Sequence, residues 1–450
     1  MSYERPSITR HAVGVMNQFG RSHSTRPQTH VEGRALTMLL EEFGSPLWLL
    51  SEATLRDSYR RLQEAFSRRY PRTVIAYSYK TNYLSSVCSI LHQEGAWAEV
   101  VSGFEYDHAR TLGVPGERIV FNGPCKRKEE LRRAMEEGAR IHADCLEELS
   151  EMESLATRRT PMGIRINLQV NSQPWDRFGF NLESGQALEA VRWLASSAHL
   201  ELKGIHCHLG TYLTDPSVYG KALGKLIPFL QKLKSDFGVK IEWLDLGGGF
   251  ASKNVLHGSW MPAEYACPSF EQYAEEICSR LLSSELDLPT LFLEPGRSLV
   301  DEAMHLGCRV LSNRRRGEGR RALVLDAGVN LLYTSAWYRH EIVPGVDSGG
   351  LLEEVDVFGP LCMQIDCLQL GVSLPPLRRG DPVLIRKVGA YNFSQSMQFI
   401  QLRPAVVMLS PEGVELVRRR EDGSCVRALE QLPHRLNEAW RPSPGPRATS

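Results

Sequence analysis

Between residues 74 and 294 the chain repeats one pattern, in which a short apolar run is followed by a longer stretch of helical periodicity. Such runs are typical of buried strands, and the stretches between them are typical of amphipathic helices. The eight runs span residues 74–79, 96–101, 118–122, 140–144, 163–168, 203–208, 241–246 and 290–294. Since parallel neighbours need helical crossovers, the pattern predicts an α/β fold with a (β/α)8 TIM barrel.

The pattern changes after residue 298, where apolar runs alternate with Gly, Pro and Asp turns. Strands are predicted at 307–311, 321–325, 382–388 and 405–409, and they indicate a C-terminal β-rich domain built as a small barrel or sandwich. We expect residues 34–50, a helix and a strand, to contribute to this domain, and the barrel to occupy 51–298. The β domain then spans 299–425, and the ends, 1–33 and 426–450, are expected to be mostly disordered tails.

Composition favours a small-molecule enzyme. The 450 residues are 42% hydrophobic, which is ordinary for a globular enzyme. The 53 Lys and Arg residues balance 53 Asp and Glu residues, so no net charge attracts nucleic acid or an anionic membrane surface. Ten cysteines without CxxC spacing fit a reducing compartment and predict neither disulfides nor a metal centre. No apolar run approaches a membrane span, and we expect a cytoplasmic protein.

Polar residues cluster at the ends of the predicted strands, which is where a TIM barrel carries its chemistry. Lys80 follows the first apolar run, and a lysine amine with little water around it has a lowered pKa. Such an amine can bond covalently to an aldehyde, most commonly pyridoxal phosphate. The alternative is a strand-end lysine whose amine reaches solvent.

Two glycine-containing motifs suit a phosphate-bearing cofactor. The triplet Gly247-Gly-Gly249 can wrap an anion with backbone N–H groups, although a tight βα turn needs glycines as well. In Glu294-Pro-Gly-Arg297 the arginine can grip phosphate while the glutamate faces a pyridine nitrogen. The alternative for the second motif is a turn with an exposed ion pair. His206 and His208 offer two imidazoles for a metal site, but no third ligand has suitable spacing. His208 suits a face of the cofactor ring better, and the alternative for it is a satisfied core histidine.

The order of the motifs resembles one enzyme family. YSYKTN, HCHLG, LDLGGGF, EPGR, CMQID and a late GAY follow one another as in the pyridoxal-phosphate-dependent decarboxylases of the alanine-racemase fold, also called fold type III. The similarity is to the diaminopimelate, ornithine and arginine decarboxylase group and spans roughly residues 46–408.

This resemblance implies roles for individual residues. Lys80 would carry the cofactor, His208 would stack on its ring, and Glu294, oriented by Arg165, would hold the pyridine nitrogen. Glu99 would lie near the lysine, and phosphate would be bound by Thr211, Gly248, Gly249, Gly296, Arg297 and Tyr391. Cys362 would come from the partner subunit and protonate the product carbanion, so the resemblance also implies a homodimer with shared active sites.

Two departures from the family pattern concern the substrate. Met363 stands where the family has an acid after the cysteine, and Thr334 stands where an arginine clamps the distal carboxylate of diaminopimelate. In the family that acid holds the distal ammonium of the substrate. Leaving this ammonium unpaired in a closed pocket would cost several kcal/mol. With Tyr338, Arg339 and Phe399 completing the predicted substrate set, we expect a modified, conjugated or carrier-linked amino acid of specialised metabolism. Arg339 and His340 could bind an acidic distal group, and the alternative for them is a solvated helix end.

Two other functions remain open from the sequence. A racemase on the same fold would keep the lysine but not EPGR and the Cys-x-x-x-Asp motif. A non-catalytic regulatory homologue would be favoured by loss of the lysine or of the glutamate, and both Lys80 and Glu294 are present.

Overall fold

The computed structural model describes residues 26–170, 175–259, 261–317 and 319–436. Of the expected disordered tails, 1–33 and 426–450, residues 1–25 and 437–450 lie outside the described residues. Among the described residues, no helix has the length and apolar character that crossing a membrane requires.

The N-terminal segment folds against the C-terminal domain. It comprises β1 (His30–Val31), β2 (Arg34–Ala35), α1 (Leu36–Glu42) and β3 (Leu47–Ser51). β1 and β2 pair as a hairpin turned by Glu32 and Gly33, both at positive φ, and the Gln28 N–H donates to the Pro344 carbonyl at 2.8 Å. A disordered tail up to residue 33 is therefore wrong for residues 28–33, because Val31 is buried beside Leu36.

The predicted TIM barrel is confirmed. In chain order its region comprises α2 (Glu52–Ser67), β4 (Thr73–Ser78), α3 (Ser85–Gln93), β5 (Trp97–Val100), α4 (Gly103–Thr111), β6 (Ile119–Phe121), α5 (Lys128–Glu136), β7 (Arg140–Ala143), α6 (Leu146–Leu155), β8 (Thr160–Asn167), β9 (Phe180–Asn181), α7 (Gln186–Ala195), β10 (Leu200–His206), α8 (Ser217–Phe237), β11 (Trp243–Asp245), β12 (Val255–Leu256), α9 (Ala263–Ala266), α10 (Phe270–Leu282), β13 (Thr290–Leu293) and α11 (Arg297–Val300). The parallel ring runs β4-β5-β6-β7-β8-β10-β11-β13 and closes from β13 onto β4. All eight predicted strands lie in this ring.

Helix α2 illustrates how the sequence builds the outer layer. The Ser51 hydroxyl accepts the Thr54 N–H at 3.1 Å and caps the helix. Leu55, Tyr59, Leu62 and Phe66 follow at helical spacing and are buried against the barrel.

The C-terminal domain is a mixed sheet that takes in β3. Its elements are β14 (Met304–Arg315), β15 (Arg321–Leu325), β16 (Tyr338–Arg339), β17 (Glu341–Pro344), β18 (Glu353–Phe358), β19 (Cys367–Leu374), β20 (Pro382–Arg386), β21 (Ala405–Ser410), β22 (Gly413–Arg418) and α12 (Gly423–Arg427). The order is β19-β18-β15-β14-β3-β21-β22, and β20 pairs with both β14 and β17. β3 is antiparallel to β14 and parallel to β21, which fastens the barrel's first segment to the β domain.

A buried ion pair joins the loop after β6 to the first turn of α6. The Lys126 side chain is 0% exposed, and its ammonium lies 2.9 Å from Glu148; it also donates to the carbonyls of Gly123 and His142 at 3.0 and 2.9 Å.

We expect Lys126→Met to lower the free energy of unfolding by about 3–5 kcal/mol, because the Glu148 carboxylate would be left buried without its partner. The matched control is Lys128→Ala, which removes an exposed pair with Glu151 and should cost less than about 1 kcal/mol. Urea unfolding of both variants measures the difference. Equal costs would show that the buried pair adds nothing to stability.

Candidate active site

A cavity of about 880 Å³ opens at the carboxyl ends of the barrel strands. Twelve of the sequence-predicted site residues line it: Lys80, Glu99, Arg165, His208, Thr211, Gly248, Gly249, Glu294, Gly296, Arg297, Tyr338 and Tyr391. The predicted residues Cys362, Met363, Thr334, Arg339 and Phe399 are not part of its lining within one chain.

Lys80 meets Glu99 at the end of the first barrel strand. The ammonium donates to Oε2 of Glu99 at 2.6 Å, with 41% of the lysine side chain exposed to the cavity and 1% of the glutamate side chain exposed. Burial opposes the charge, but the carboxylates of Glu99 and Glu294 outweigh burial and raise the pKa of Lys80 above its ordinary value. The sequence-based expectation of a lowered pKa is therefore wrong here, because that expectation omitted the two carboxylates.

We expect Glu99→Gln to move the pH profile of cofactor attachment to lower pH by about one unit or more, because the neutral form of the Lys80 amine reacts with an aldehyde. The rate at which the bound cofactor's visible absorbance appears, measured from pH 6 to 10, tests this. Glu64→Gln is the matched control, since Glu64 pairs with Arg68 on the exposed face of α2. A profile that stays in place would contradict Glu99 as the group that holds the proton on Lys80.

Glu294 is oriented by a chain of hydrogen bonds with one possible direction. The Trp243 indole can only donate, and it donates to Nε2 of His142 at 2.9 Å. Nδ1 of His142 is then the donor to Oδ1 of Asn122 at 2.7 Å. The Asn122 amide therefore points its NH₂ at Glu294 Oε1, 2.5 Å away, and at Glu99 Oε1, 3.2 Å away.

Two more buried groups lie against Glu294. Nε2 of His206 is 3.5 Å from Oε2 of Glu294, and a ring nitrogen of His206 and one carboxylate oxygen each of Asp245 and Glu294 all lie within 4.8 Å of one another. Burial, and next the charge of Glu294, raise the pKa of Asp245 well above its usual range. Burial likewise keeps His206 neutral by holding its pKa well below the ordinary value.

His208 presents a neutral imidazole to the cavity. Burial lowers its pKa to about 3, and its Nδ1 accepts the Gly248 N–H at 3.2 Å. The ring of Trp175 meets it edge-on, with centroids 5.2 Å apart. An uncharged planar ring in this place can stack on an aromatic cofactor.

The anion-binding end of the cavity lies at Arg297. Its guanidinium lies 4.9–5.2 Å from the ring centroids of Tyr212, Tyr338 and Tyr391, and its Nη2 lies 3.5 Å from Oγ1 of Thr211. The buried Nη1 has no hydrogen-bond partner among the described residues. A cation with donors left over is the side chain that a phosphate group requires.

The glycines of this end form a cradle in which a side chain would have no room. A β-carbon on Gly248 would lie 2.2 Å from the Glu294 carbonyl oxygen, and one on Gly296 would lie 2.0 Å from Oγ1 of Thr81. Gly249 has φ +100°, which favours glycine. The unpartnered guanidinium nitrogen, this cradle and the reactive amine of Lys80 together fit pyridoxal phosphate.

Arg165 takes a different place from the one that the resemblance implies. Its guanidinium lies 3.6 Å from Asp144 and 4.7 Å from the ring centroid of Phe178. No contact with Glu294 is described for it, and Asn122 and His206 flank that glutamate instead.

One wall of the cavity is built from two segments distant in sequence. β12 pairs antiparallel with β16, and the His257 N–H donates to the Trp337 carbonyl at 2.8 Å. The wall here consists of Leu256, His257, Ala336, Trp337 and Tyr338. Sequence reasoning missed His257 and Trp337, because nothing in either segment indicates that the two strands pair. It also missed Tyr212, which could have been found from the sequence because it follows Thr211 in the HCHLGTY run.

Thr334, Arg339 and His340 face away from this cavity. Thr334 is fully buried, and its hydroxyl lies 2.8 Å from Oδ1 of Asn392 and 3.1 Å from Nε2 of His340. The Arg339 guanidinium donates to the Ser259 carbonyl at 2.6 Å. Burial lowers the pKa of His340 to about 3. Binding of an acidic distal group by Arg339 and His340 is therefore a wrong expectation.

Comparison with known proteins points to one chemistry. Residues 55–301 match the family model described as the pyridoxal-binding domain of pyridoxal-dependent decarboxylases. The diaminopimelate decarboxylase of Methanocaldococcus jannaschii is 31% identical over 430 residues, 90% of this chain and 95% of that protein. Its crystal structure covers 90% of this chain and 96% of its own, with a TM-score of 0.84.

Two further solved structures are similar. The diaminopimelate decarboxylase of Helicobacter pylori in complex with L-lysine is 26% identical, has a TM-score of 0.78, and covers 87% of this chain and 98% of its own. The lysine/ornithine decarboxylase of Vibrio vulnificus in complex with putrescine is 25% identical, has a TM-score of 0.72, and covers 83% and 96%.

Proposed function

Because the chain belongs to the pyridoxal-dependent decarboxylases, and is a lyase of amino acids that uses pyridoxal phosphate, we propose that its substrate is a distally modified or conjugated amino acid. Free diaminopimelate, ornithine and lysine are then poor substrates. A carrier-linked amino acid of specialised metabolism fits the same description. The proposal is supported chiefly by one observation: Thr334, at the position of the family's carboxylate-clamping arginine, is buried against Asn392 and His340.

The cavity wall formed by β12 and residues 336–338 supports an uncharged distal group. Leu256, Ala336 and the rings of Trp337 and Tyr338 form most of it; none of them is acidic, and the charged group beside Tyr338 is the Arg297 guanidinium, 5.1 Å from the ring centroid. A second ammonium group would be desolvated there without a counter-charge, which costs several kcal/mol. An amide made by acylating that ammonium removes the charge.

The residues of the site divide the work of decarboxylation. Lys80 carries the cofactor through Nζ, Arg297 and the glycine cradle bind its phosphate, and His208 packs against its ring. Glu294 holds the proton of the pyridine nitrogen. When bound, the cofactor supplies an electron sink for the pair left behind as CO₂ departs. The protein orients the α-carboxylate and excludes water from it.

We also propose a homodimer in which each active site takes Cys362 from the other chain. Cys362 is exposed and lies outside its own chain's cavity lining. Ile365, on the same loop, is 68% exposed, as expected of an apolar side chain that a second copy covers. The Cys362 thiol of one chain then protonates the α-carbon in the cavity of the other.

CO₂ release from a substrate panel tests the substrate proposal. The panel compares free diaminopimelate, ornithine and lysine with the same amino acids acylated on the distal amine. Each compound is tested in its L and D forms. We expect kcat/KM to be at least about tenfold higher for an acylated member. High efficiency on free diaminopimelate would overturn the proposal. Inversion of the α-carbon without CO₂ release would identify a racemase instead.

A further inference from the structure

Asp366 joins two loops that serve different parts of the active site. The Cys362 loop (residues 359–366) carries the cysteine, and the wall segment (residues 328–338) leads to Trp337 and Tyr338 in the cavity wall. The Asp366 side chain is 3% exposed. Its Oδ1 accepts the Val329 N–H at 2.8 Å, and its Oδ2 accepts the Leu361 N–H at 2.7 Å.

The two loops touch through their backbones at the same point. The Gly359 N–H donates to the Asp366 carbonyl at 3.1 Å. A β-carbon on Gly359 would lie 2.3 Å from Cα of Gly328, and a β-carbon on Gly328 would lie 2.4 Å from Oδ1 of Asp366. Because the Gly328 backbone and the Asp366 carboxylate fill this space, a shift of either loop displaces the other.

We propose that Asp366 is a positioning residue that couples the two active sites of the homodimer. This inference rests on the proposed sharing of Cys362. In each chain Asp366 fixes the wall segment of that chain's own cavity and, through its second oxygen, fixes the cysteine that works in the other cavity. Each site thus depends on two copies of Asp366, one acting on substrate binding and one on proton delivery.

Asp366→Asn removes one of the two hydrogen bonds from the Val329 and Leu361 N–H groups, with little change in side-chain shape. A carboxylate accepts from both N–H groups, whereas an amide presents its own NH₂ to one of them. Heterodimers then separate the two effects, with the two chains carrying different affinity tags and each mixed dimer purified on both. Lys80→Ala in one chain leaves one working site, which uses the wall segment of the unmodified chain and Cys362 of the Lys80→Ala chain.

Placed on the Lys80→Ala chain, Asp366→Asn alters only the cysteine loop of the working site. We expect kcat to fall about tenfold with KM unchanged. Placed on the other chain, it alters only the wall segment, and we expect KM to rise about tenfold with kcat within twofold. The reference is the dimer with Lys80→Ala alone. Equal effects in the two placements, or none in either, would overturn the proposal.

Two further variants secure the interpretation. Gly359→Ala keeps Asp366 but forces the two loops apart. It should therefore give the same result, a lower kcat in one placement and a higher KM in the other, even if Asp366→Asn does not yield a folded dimer. Asp356→Asn is the matched control. Asp356 is buried in β18, accepts the Gly371 N–H at 3.1 Å and pairs with Arg316 and Arg320, none of which belongs to either loop, so this variant should affect both placements equally.

Cys362→Ala in the same two placements tests separately whether each active site takes Cys362 from the other chain. It should abolish the working site only on the Lys80→Ala chain. If it does not, shared sites and the coupling both fail. If it does while Asp366→Asn shows no split, the coupling alone fails.

Discussion

Lys80→Ala is expected to lower kcat by about 10⁴-fold and to abolish the visible absorbance of covalently held cofactor. Lys80 is the sole lysine among the described residues of the cavity lining, so no other amine there can attach to the aldehyde. The ion pair with Glu99 at 2.6 Å also holds the amine at one place in the cavity. Absorbance spectra with added pyridoxal phosphate and steady-state CO₂ release give the two readouts.

Chemical rescue separates lost chemistry from a misfolded barrel. Added methylamine should restore part of the Lys80→Ala activity, because the missing group is a small amine and the cavity is already formed. Lys232→Ala is the matched control: Lys232 lies on α8 in an exposed pair with Asp236, and its loss should leave kcat unchanged. A Lys80→Ala protein that keeps both its absorbance and its activity would rule out Lys80 as the cofactor lysine.

The barrel could be predicted because its signal is local. Each strand is a short apolar run between helical stretches, and each run is buried by its neighbours in the ring. The strands of the β domain were harder to predict. β18 begins with Glu353 and Glu354, whose carboxylates pair with Arg321 and Arg320. β19 contains Gly371 in its interior. Charged and glycine-containing strands lack the apolar signature, so both strands were missed.

The active site was predictable where it rests on sequence motifs. Lys80, His208, Glu294 and Arg297 each belong to a short motif, and the structure brings all four to one cavity. Residues that act through distant pairing could not be found in this way. His142, for example, orients Asn122 only because β7 lies next to β6 and the Trp243 indole lies within 2.9 Å of it.

The second large effect is expected for Glu294→Gln, which should lower kcat by about 10²–10³-fold while the cofactor stays bound. The fixed chain from Trp243 through His142 makes the Asn122 NH₂ a donor toward Oε1 of Glu294. A glutamine must therefore turn its carbonyl oxygen to Asn122. Its NH₂ then stands where Oε2 of the carboxylate was, beside His206.

A donor in that position favours the unprotonated pyridine nitrogen, whereas the carboxylate favours the protonated one. An unprotonated ring withdraws electrons less strongly, so the bond to the α-carboxylate breaks more slowly. Arg297 and the glycine cradle are unchanged in this variant, and for that reason the affinity for the cofactor should change much less than kcat. Glu415→Gln on the exposed face of β22 is the matched control. If kcat of Glu294→Gln stays within about threefold of the unmodified enzyme, the pyridine nitrogen does not depend on this carboxylate, and the fixed direction of the hydrogen-bond chain has no catalytic consequence.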